Sequence, residues 1–228
     1  MRYAIYYTPD SESLLHKLGS SWLGRDAYSN TEVKHADPRL TEYTMDACRY
    51  GFHGTLKAPF RMKEGVSFAS FESALRNLAN QHESFLAGQL ELRIIDGFLA
   101  LVPEGESVAL SHLAADCVQH LDDFRIPPGE AELRKRRSSG LTDTQDALLQ
   151  RWGYPYVFEE FQFHMTLTSR LSDEEAAWIL PIAQAHFAPV LGHNLSVDAV
   201  SLLVEPDDGE DFVVRDRLSL IYNALKVA

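Results

Sequence analysis

Phe52-His53-Gly54-Thr55-Leu56 decides how this chain is read, because it returns 111 positions later as Phe163-His164-Met165-Thr166-Leu167. In an extended strand successive side chains alternate between faces. His53 and Thr55 therefore share one face, and Phe52, Gly54 and Leu56 take the other. The second copy has the same parity, with His164 and Thr166 opposed to Phe163, Met165 and Leu167. Each strand presents an imidazole and a hydroxyl one way and packing surface the other. Two imidazoles held on two strands make a minimal acid and base pair.

Working outward, each copy opens the same series of elements. After the first, the spacing of Phe68, Phe71, Leu75, Leu78 and Phe85 predicts a helix from Ser67 to Ala87, stopped by Gly88. Leu90, Leu92 and Ile94 alternate with charged residues in a strand, Asp96-Gly97 signals a hairpin, and Phe98 to Val102 returns. After the second copy, Ser172 and Glu175 form a capping box for a helix containing Trp178, Ile182 and Phe187, with a kink or break at Pro181. Leu195 to Val204 follows as a strand, Pro206 to Gly209 as a turn, and Phe212 to Tyr222 as the returning strand. A duplicated unit of strand, helix, strand, turn and strand is an α+β plan. It predicts one domain of two pseudo-symmetric lobes, residues 1–125 and 141–228, with antiparallel sheets lining a central cleft. Residues 126–140 read as a mobile, solvated linker, with Pro127-Pro128-Gly129 and the basic run Arg134-Lys135-Arg136-Arg137.

Other segments are read from local pattern. Tyr3 to Thr8 is an aromatic, β-branched strand, and Leu14, Leu15 and Leu18 predict a short helix ended by Gly19. Residues 22–50 lack a sustained period and read as a long loop with one short element. Loops of that length often contact substrate, which nominates Arg25, Tyr28 and Tyr43. Ser107 to Leu121 is a helix with Cys117 in the core, and Thr142 and Gln145 cap a helix that Gly153 ends.

Composition excludes several classes. The chain has 228 residues, 45% hydrophobic and 24% charged, with 21 basic against 33 acidic residues and a formal net charge of -12. This balance opposes a stable complex with long nucleic acids, which needs Lys and Arg against phosphates. Cys48 and Cys117 are too few for a disulfide framework or a four-thiolate metal site. There is no run long and apolar enough for a membrane span, and the N-terminus lacks a secretion signal, so a cytoplasmic location is expected.

On the histidine face of the first strand come Arg49, Gly51, His53, Thr55 and Lys57, and on the second Gln162, His164, Thr166, Thr168 and Arg170. Two imidazoles, two hydroxyls and two cations suit a phosphate ester, with hydroxyls donating to non-bridging oxygens and Lys57 and Arg170 supplying charge. At neutral pH one imidazole is expected neutral and the other charged. A third match to His-x-Ser/Thr, His82-Glu83-Ser84, falls inside the predicted helix, where residues i and i+2 do not share a face.

Paired His-x-Thr motifs in the two halves of a duplicated α+β chain resemble the two-histidine (2H) phosphoesterase superfamily, which includes the LigT-like RNA cyclic phosphodiesterases. The stretches Arg49 to Phe60 and Phe161 to Leu167, with Trp22-Leu23-Gly24-Arg25-Asp26, look closer to a bacterial family of unestablished function found with phosphonate-utilisation genes. The resemblance implies a bilobal fold around a concave site, no cofactor and no metal. It implies catalysis by His53 and His164 and phosphate binding by Thr55 and Thr166. Lys57, Arg170, Tyr154 and Tyr156 transfer less directly. The expected substrate is a small cyclic phosphodiester, either a nucleoside 2′,3′-cyclic phosphate or a cyclic ribose phosphate. The rival classes are a metal site using the histidines with Glu159 or Glu160, a non-catalytic binding module for a phosphorylated nucleotide or sugar, and an RNA-binding arm at Arg134 to Arg137.

Overall fold

In a computed structural model, which describes residues 1–222, the apolar periodicities resolve into ten strands and seven α-helices. In chain order these are β1 (Arg2–Tyr7), α1 (Leu14–Leu23), β2 (Arg25–Asp26), β3 (Thr31–Glu32), α2 (Thr41–Cys48) and β4 (Gly54–Phe60). Next come α3 (Phe68–Ala79), β5 (Phe85–Ile95), β6 (Phe98–Pro103), α4 (Val108–His120), α5 (Glu130–Arg137) and α6 (Asp143–Trp152). The second half holds β7 (Met165–Arg170), α7 (Asp173–Phe187), β8 (Asn194–Val197), β9 (Ala199–Glu205) and β10 (Val213–Ser219).

Eight strands form one antiparallel sheet in the order β10-β9-β1-β4-β7-β6-β5-β8. The two motif strands, β4 and β7, are neighbours at its centre. The hairpin that follows β4 and its helix, β5-β6, lies beside β7. The hairpin that follows β7 and its helix, β9-β10, lies on the β4 side, next to β1. Each copy of the repeat thus lends its hairpin to the other copy's motif strand, which locks the two histidine segments side by side.

The sheet curls until its edges approach. Only Asp198 separates β8 from β9, although they stand towards opposite ends of the strand order. Ser84 N donates to the Ile221 carbonyl and Ile221 N to the His82 carbonyl, both at 2.8 Å, so the exit of β10 meets the entry of β5. Helices cover the sheet with apolar faces. Phe71 and Leu75 of α3, Leu113 of α4 and Phe187 of α7 are fully buried with Leu56, Leu101 and Leu167 of the strands. Each such side chain contributes about 1.5–3 kcal/mol.

Several expected boundaries move. Gly19 does not end α1: it sits inside the helix, where a β-carbon would lie 2.2 Å from the Phe52 ring, and Gly24 at φ 82° is the stop. Helix α3 ends at Ala79, and Phe85 and Ala87 belong to β5, because Phe85 satisfies both helical spacing and strand alternation. His82-Glu83-Ser84 is therefore in the extended link at the closing edge of the sheet, not in a helix, and His82 faces Asp116 at 3.0 Å. Leu195 to Val204 is two strands that part at Asp198, a corner held by Arg217 at 2.5 Å. Helix α7 continues through Pro181. Residues 22–50 are not mostly loop, since they hold the β2-β3 hairpin, a turn of 3-10 helix at Pro38–Leu40, and α2. The expected mobile linker contains helix α5, whose Arg137 pairs with Asp146 of α6 at 2.6 Å. The Asp96-Gly97 hairpin is as expected, with φ 47° and 86° at its two corner residues.

Candidate active site

The apolar half of each motif builds the site's frame. Phe52 packs on Gly19 of α1 and stacks on Phe187 of α7, ring centres 6.4 Å apart. Phe163 lies over Gly54, where a β-carbon would come within 2.3 Å of its ring, and meets Tyr7 edge-on. Glycine at 54 is what lets the second motif close on the first. Arg25 anchors the chain just before His53: its buried guanidinium donates to the carbonyls of Cys48, Arg49 and Phe212. Trp22 does the same for the other strand, donating to the Leu167 carbonyl at 3.0 Å.

Gly54 pairs with Met165 across the two central strands. Continuing that antiparallel register by one residue sets His53 across from Thr166, and Thr55 across from His164. Directly opposed residues of an antiparallel pair carry β-carbons about 4.5–5.5 Å apart. The register thus directs the four polar side chains to one face as a quartet, with each imidazole set across from the other motif's hydroxyl.

Both imidazoles are held alike. Nδ1 of His53 donates to the Gly51 carbonyl and Nδ1 of His164 to the Gln162 carbonyl, each at 2.8 Å. With the proton on Nδ1, Nε2 carries the lone pair. Thr55 Oγ1 lies 3.3 Å from Nε2 of His53 and donates to it. Gly51, at φ 73°, makes the turn that aims its carbonyl at the ring.

Their surroundings differ. His53 stacks on Tyr6 at 3.9 Å between ring centres, with Tyr50 6.0 Å away. Burial pushes its pKa down to about 4, against the pull of the Gly51 carbonyl, and His164 lowers it further. Burial also lowers the pKa of His164, opposed by the Gln162 carbonyl and by Asp96, and Phe98 packs 5.3 Å from its ring. Burial thus lowers both pKa values, a direction that favours the neutral form of each ring at pH 7 where one charged member was expected.

A cleft of about 380 Å³ opens beside the quartet, lined by Thr55, His164, Arg170, Asp96, Phe98, Gln145, Tyr154, Tyr156 and Glu160 among others. His53 and Thr166 are not among its lining residues. A larger groove of about 650 Å³ shares Ile95, Phe161 and Gln162 with it but contains neither motif's His or Thr, so the chemistry belongs to the smaller cleft.

The two expected cations part company. Opposite Ile5 and Tyr6 of β1, the partners are Lys57 and Thr55, so β4 has one extra residue there. This bulge breaks the alternation beyond Thr55. Lys57 turns into the protein, donates to the Val118 carbonyl of α4 at 3.0 Å and lies 3.8 Å from Asp122; burial lowers its pKa to about 8. It is not a phosphate ligand in this arrangement. On β7 four steps from Thr166 to Arg170 oppose two on β6, from Ala100 to Phe98. That bulge, filled by Thr168 accepting from Leu99 N, draws Arg170 back to the cleft.

Of the loop residues expected to touch substrate, Arg25 is structural, Tyr28 bonds Thr8 and the Pro9 carbonyl, and Tyr43 packs on Trp178. Tyr154 and Tyr156 line the cleft edge to face, 5.5 Å apart. Tyr6, Phe98, Asp96 and Gln145 were not expected as site residues, since strand pairing and hairpin placement bring them in and no spacing within the motifs announces them.

A family model described as "Protein of unknown function (DUF1045)" matches residues 55–213, and the chain belongs to that family. Two curated relatives bear the name "Ribose 1,5-bisphosphate phosphokinase PhnN". The protein from Janthinobacterium sp. (strain Marseille) is 41% identical over 227 residues, 95% of this chain and 50% of the relative. The one from Laribacter hongkongensis (strain HLHK9) is 38% identical over 218 residues, 93% of this chain and 50% of the relative. The chain spans about half the length of the curated relatives it matches. Among solved structures, E. coli LigT complexed with 3′-AMP aligns at TM-score 0.43 and 14% identity, over 96% of this chain and 98% of that one. LigT complexed with phosphate aligns at TM-score 0.42 and 15% identity, over 96% and 97%.

Proposed function

We propose that this chain is a metal-independent phosphodiesterase of the two-histidine type that opens a small cyclic phosphodiester. The observation that carries the reading is the quartet: two imidazoles in the same tautomer, each opposite a threonine hydroxyl, beside a cleft bearing Arg170.

His53 is the base and His164 the acid. His53, with the pKa near 4, stays neutral and takes a proton from the attacking water at Nε2. His164 has Asp96 pulling its pKa upward, and the negative charge of a bound diester pulls further, so it enters the reaction protonated. Water's oxygen bonds to phosphorus, one ester P–O bond breaks, and His164 Nε2–H supplies the proton to the departing sugar oxygen. The products are a phosphomonoester and a free hydroxyl. Charge gathering on the non-bridging oxygens is met by Thr55, Thr166 and Arg170. A cleft of this size takes a nucleotide or sugar phosphate, and Asp96 and Glu160 on its wall disfavour a long polyanion.

The relatives' name speaks of phosphoryl transfer involving ribose 1,5-bisphosphate. The sequence Gly19-Ser20-Ser21-Trp22-Leu23-Gly24-Arg25-Asp26 is the chain's one Gly-x4-Gly stretch, but it lacks the Lys-Ser/Thr ending of a phosphate-cradling loop, and Gly19 to Leu23 are wound into α1. We therefore assign ester cleavage to this chain, and the name favours a ribose phosphate as the sugar. No helix among the described residues is long and apolar enough to cross a membrane, and we place the reaction in the cytoplasm.

The test is release of phosphomonoester from a panel of nucleoside and ribose cyclic phosphates, followed by phosphorus NMR with EDTA present, for wild type, His53→Ala and His164→Ala. Turnover by wild type that each replacement removes supports the reading. No turnover of any member, with phosphate still bound in the cleft, replaces it with a non-catalytic binding module.

A further inference from the structure

Helix α5 has no buried residue, so apolar packing does not explain why it rests where it does. Its basic run is the strongest cationic cluster in an acidic chain, and the quartet leaves it without a role. All three of its arginines have a carboxylate within 4.0 Å, and Lys135 faces solvent. Arg134 faces Glu130 at 4.0 Å, Arg137 holds Asp146 at 2.6 Å, and Lys135 is exposed.

Arg136 is different. Its guanidinium carbon lies 5.0 Å from the ring centre of Tyr154, a residue that lines the cleft. Its Nε is buried and has no hydrogen-bond partner; Glu132 stands 3.9 Å off, an ion pair too long for a hydrogen bond. A buried N–H without an acceptor costs free energy, and the Arg136 side chain, 28% exposed, leaves its charge open to an anion on the cleft side of Tyr154. The quartet and Arg170 already answer the charge of one diester.

Resting on the phosphodiesterase reading above, we infer that Arg136, steadied on Tyr154, is a specificity residue for a second anionic group, so that the substrate is a cyclic sugar phosphate that also carries a phosphomonoester. A phosphomonoester matches the guanidinium fork with two parallel hydrogen bonds.

The test compares ribose cyclic phosphate with a free 5-hydroxyl against the same compound bearing a 5-phosphate, in wild type, Arg136→Gln and Arg134→Gln. Wild type should favour the phosphorylated compound about 10- to 100-fold in kcat/KM, the range for hydrogen bonds to charged groups. Arg136→Gln should bring that ratio close to one, chiefly through KM, while Arg134→Gln keeps the wild-type ratio. Circular dichroism of each variant separates loss of fold from loss of preference. Turnover of both compounds at equal kcat/KM by wild type overturns the second-anion subsite and leaves the phosphodiesterase reading standing. A preference that survives Arg136→Gln also overturns it. Turnover confined to cyclic-phosphate-ended RNA oligonucleotides, weakened by Arg136→Gln, overturns it in favour of an RNA-contacting arm. No turnover of any substrate overturns the phosphodiesterase reading and this one together.

Discussion

The His53 and His164 halves of the site carry the same five-residue pattern, the same Nδ1 hydrogen bond to a carbonyl two residues back, and the same cross-strand hydroxyl. They differ in everything brought from further away. Tyr6 lies flat against His53, whereas Asp96 and Phe98 of the β5-β6 hairpin flank His164. A bulge after the first motif buries its cation against α4, and a bulge after the second returns its cation to the cleft. Duplication supplied two equal imidazoles, and in the proposed reaction their unequal neighbours divide them into base and acid.

The largest expected effect tests that division. His53→Ala and His164→Ala should each lower kcat on a cyclic phosphate about 10²- to 10⁴-fold, the range for a positioned acid or base. With a nitrophenyl diester, whose leaving group needs no proton, His164→Ala should recover most of the wild-type rate and His53→Ala should not. Recovery by His53→Ala alone would reverse the two roles.

Next come the hydroxyls. Thr55→Val and Thr166→Val should each cost about 10²-fold in kcat, as for removal of one donor to developing charge. Equal losses sharpen the symmetry of the quartet; a loss confined to one member breaks it.

The pH profiles follow from the lowered pKa values. With His53 at about 4 and His164 below its ordinary value near 6.5, the free enzyme holds His53 neutral and His164 protonated only in mildly acid solution. The profile of kcat/KM should therefore peak between about pH 4 and 6.5. Bound phosphate raises the pKa of His164, so the kcat optimum should lie at higher pH. Coincident optima near 7 would contradict the burial of both rings. Stability should follow the same sign. Unfolded histidine takes up a proton near pH 6.5 and folded His53 near 4, so the stabilising neutral form is fully effective above 6.5 and lost as pH falls through that window. The urea midpoint should drop across it, less steeply in His53→Gln.

Smaller effects separate the two cations. Arg170→Met should raise KM about tenfold, as for loss of one charge-assisted contact. Lys57→Met should leave KM as it is and change stability by less than about 1.5 kcal/mol, since an apolar side chain of similar length suits its buried site. A KM effect at Lys57 equal to that at Arg170 would mean the bulge in β4 straightens when substrate binds.

The motifs were legible because their physics is local. Alternation alone put His53 and Thr55 on one face, and Ser172, Glu175, Thr142, Gln145 and Asp96-Gly97 announced their caps and turn through bonds spanning three residues or fewer. Phe85 misled because one apolar residue at the end of a helical stripe also starts a strand, and only pairing with Val197 decides between them. Lys57 misled because parity is a rule for an unbroken strand, and the bulge that breaks it is set by how β1 pairs with β4.

By itself, then, the sequence determined the α+β repeat and the imidazole-hydroxyl pair on each strand, since period and parity are properties of neighbouring residues. Only the tertiary structure decided that β4 and β7 lie side by side, that Tyr6 and Asp96 make the two histidines unequal, and that Arg170 but not Lys57 reaches the cleft. Those outcomes depend on contacts between residues tens to hundreds of positions apart, which burial of a shared core selects and no local spacing encodes.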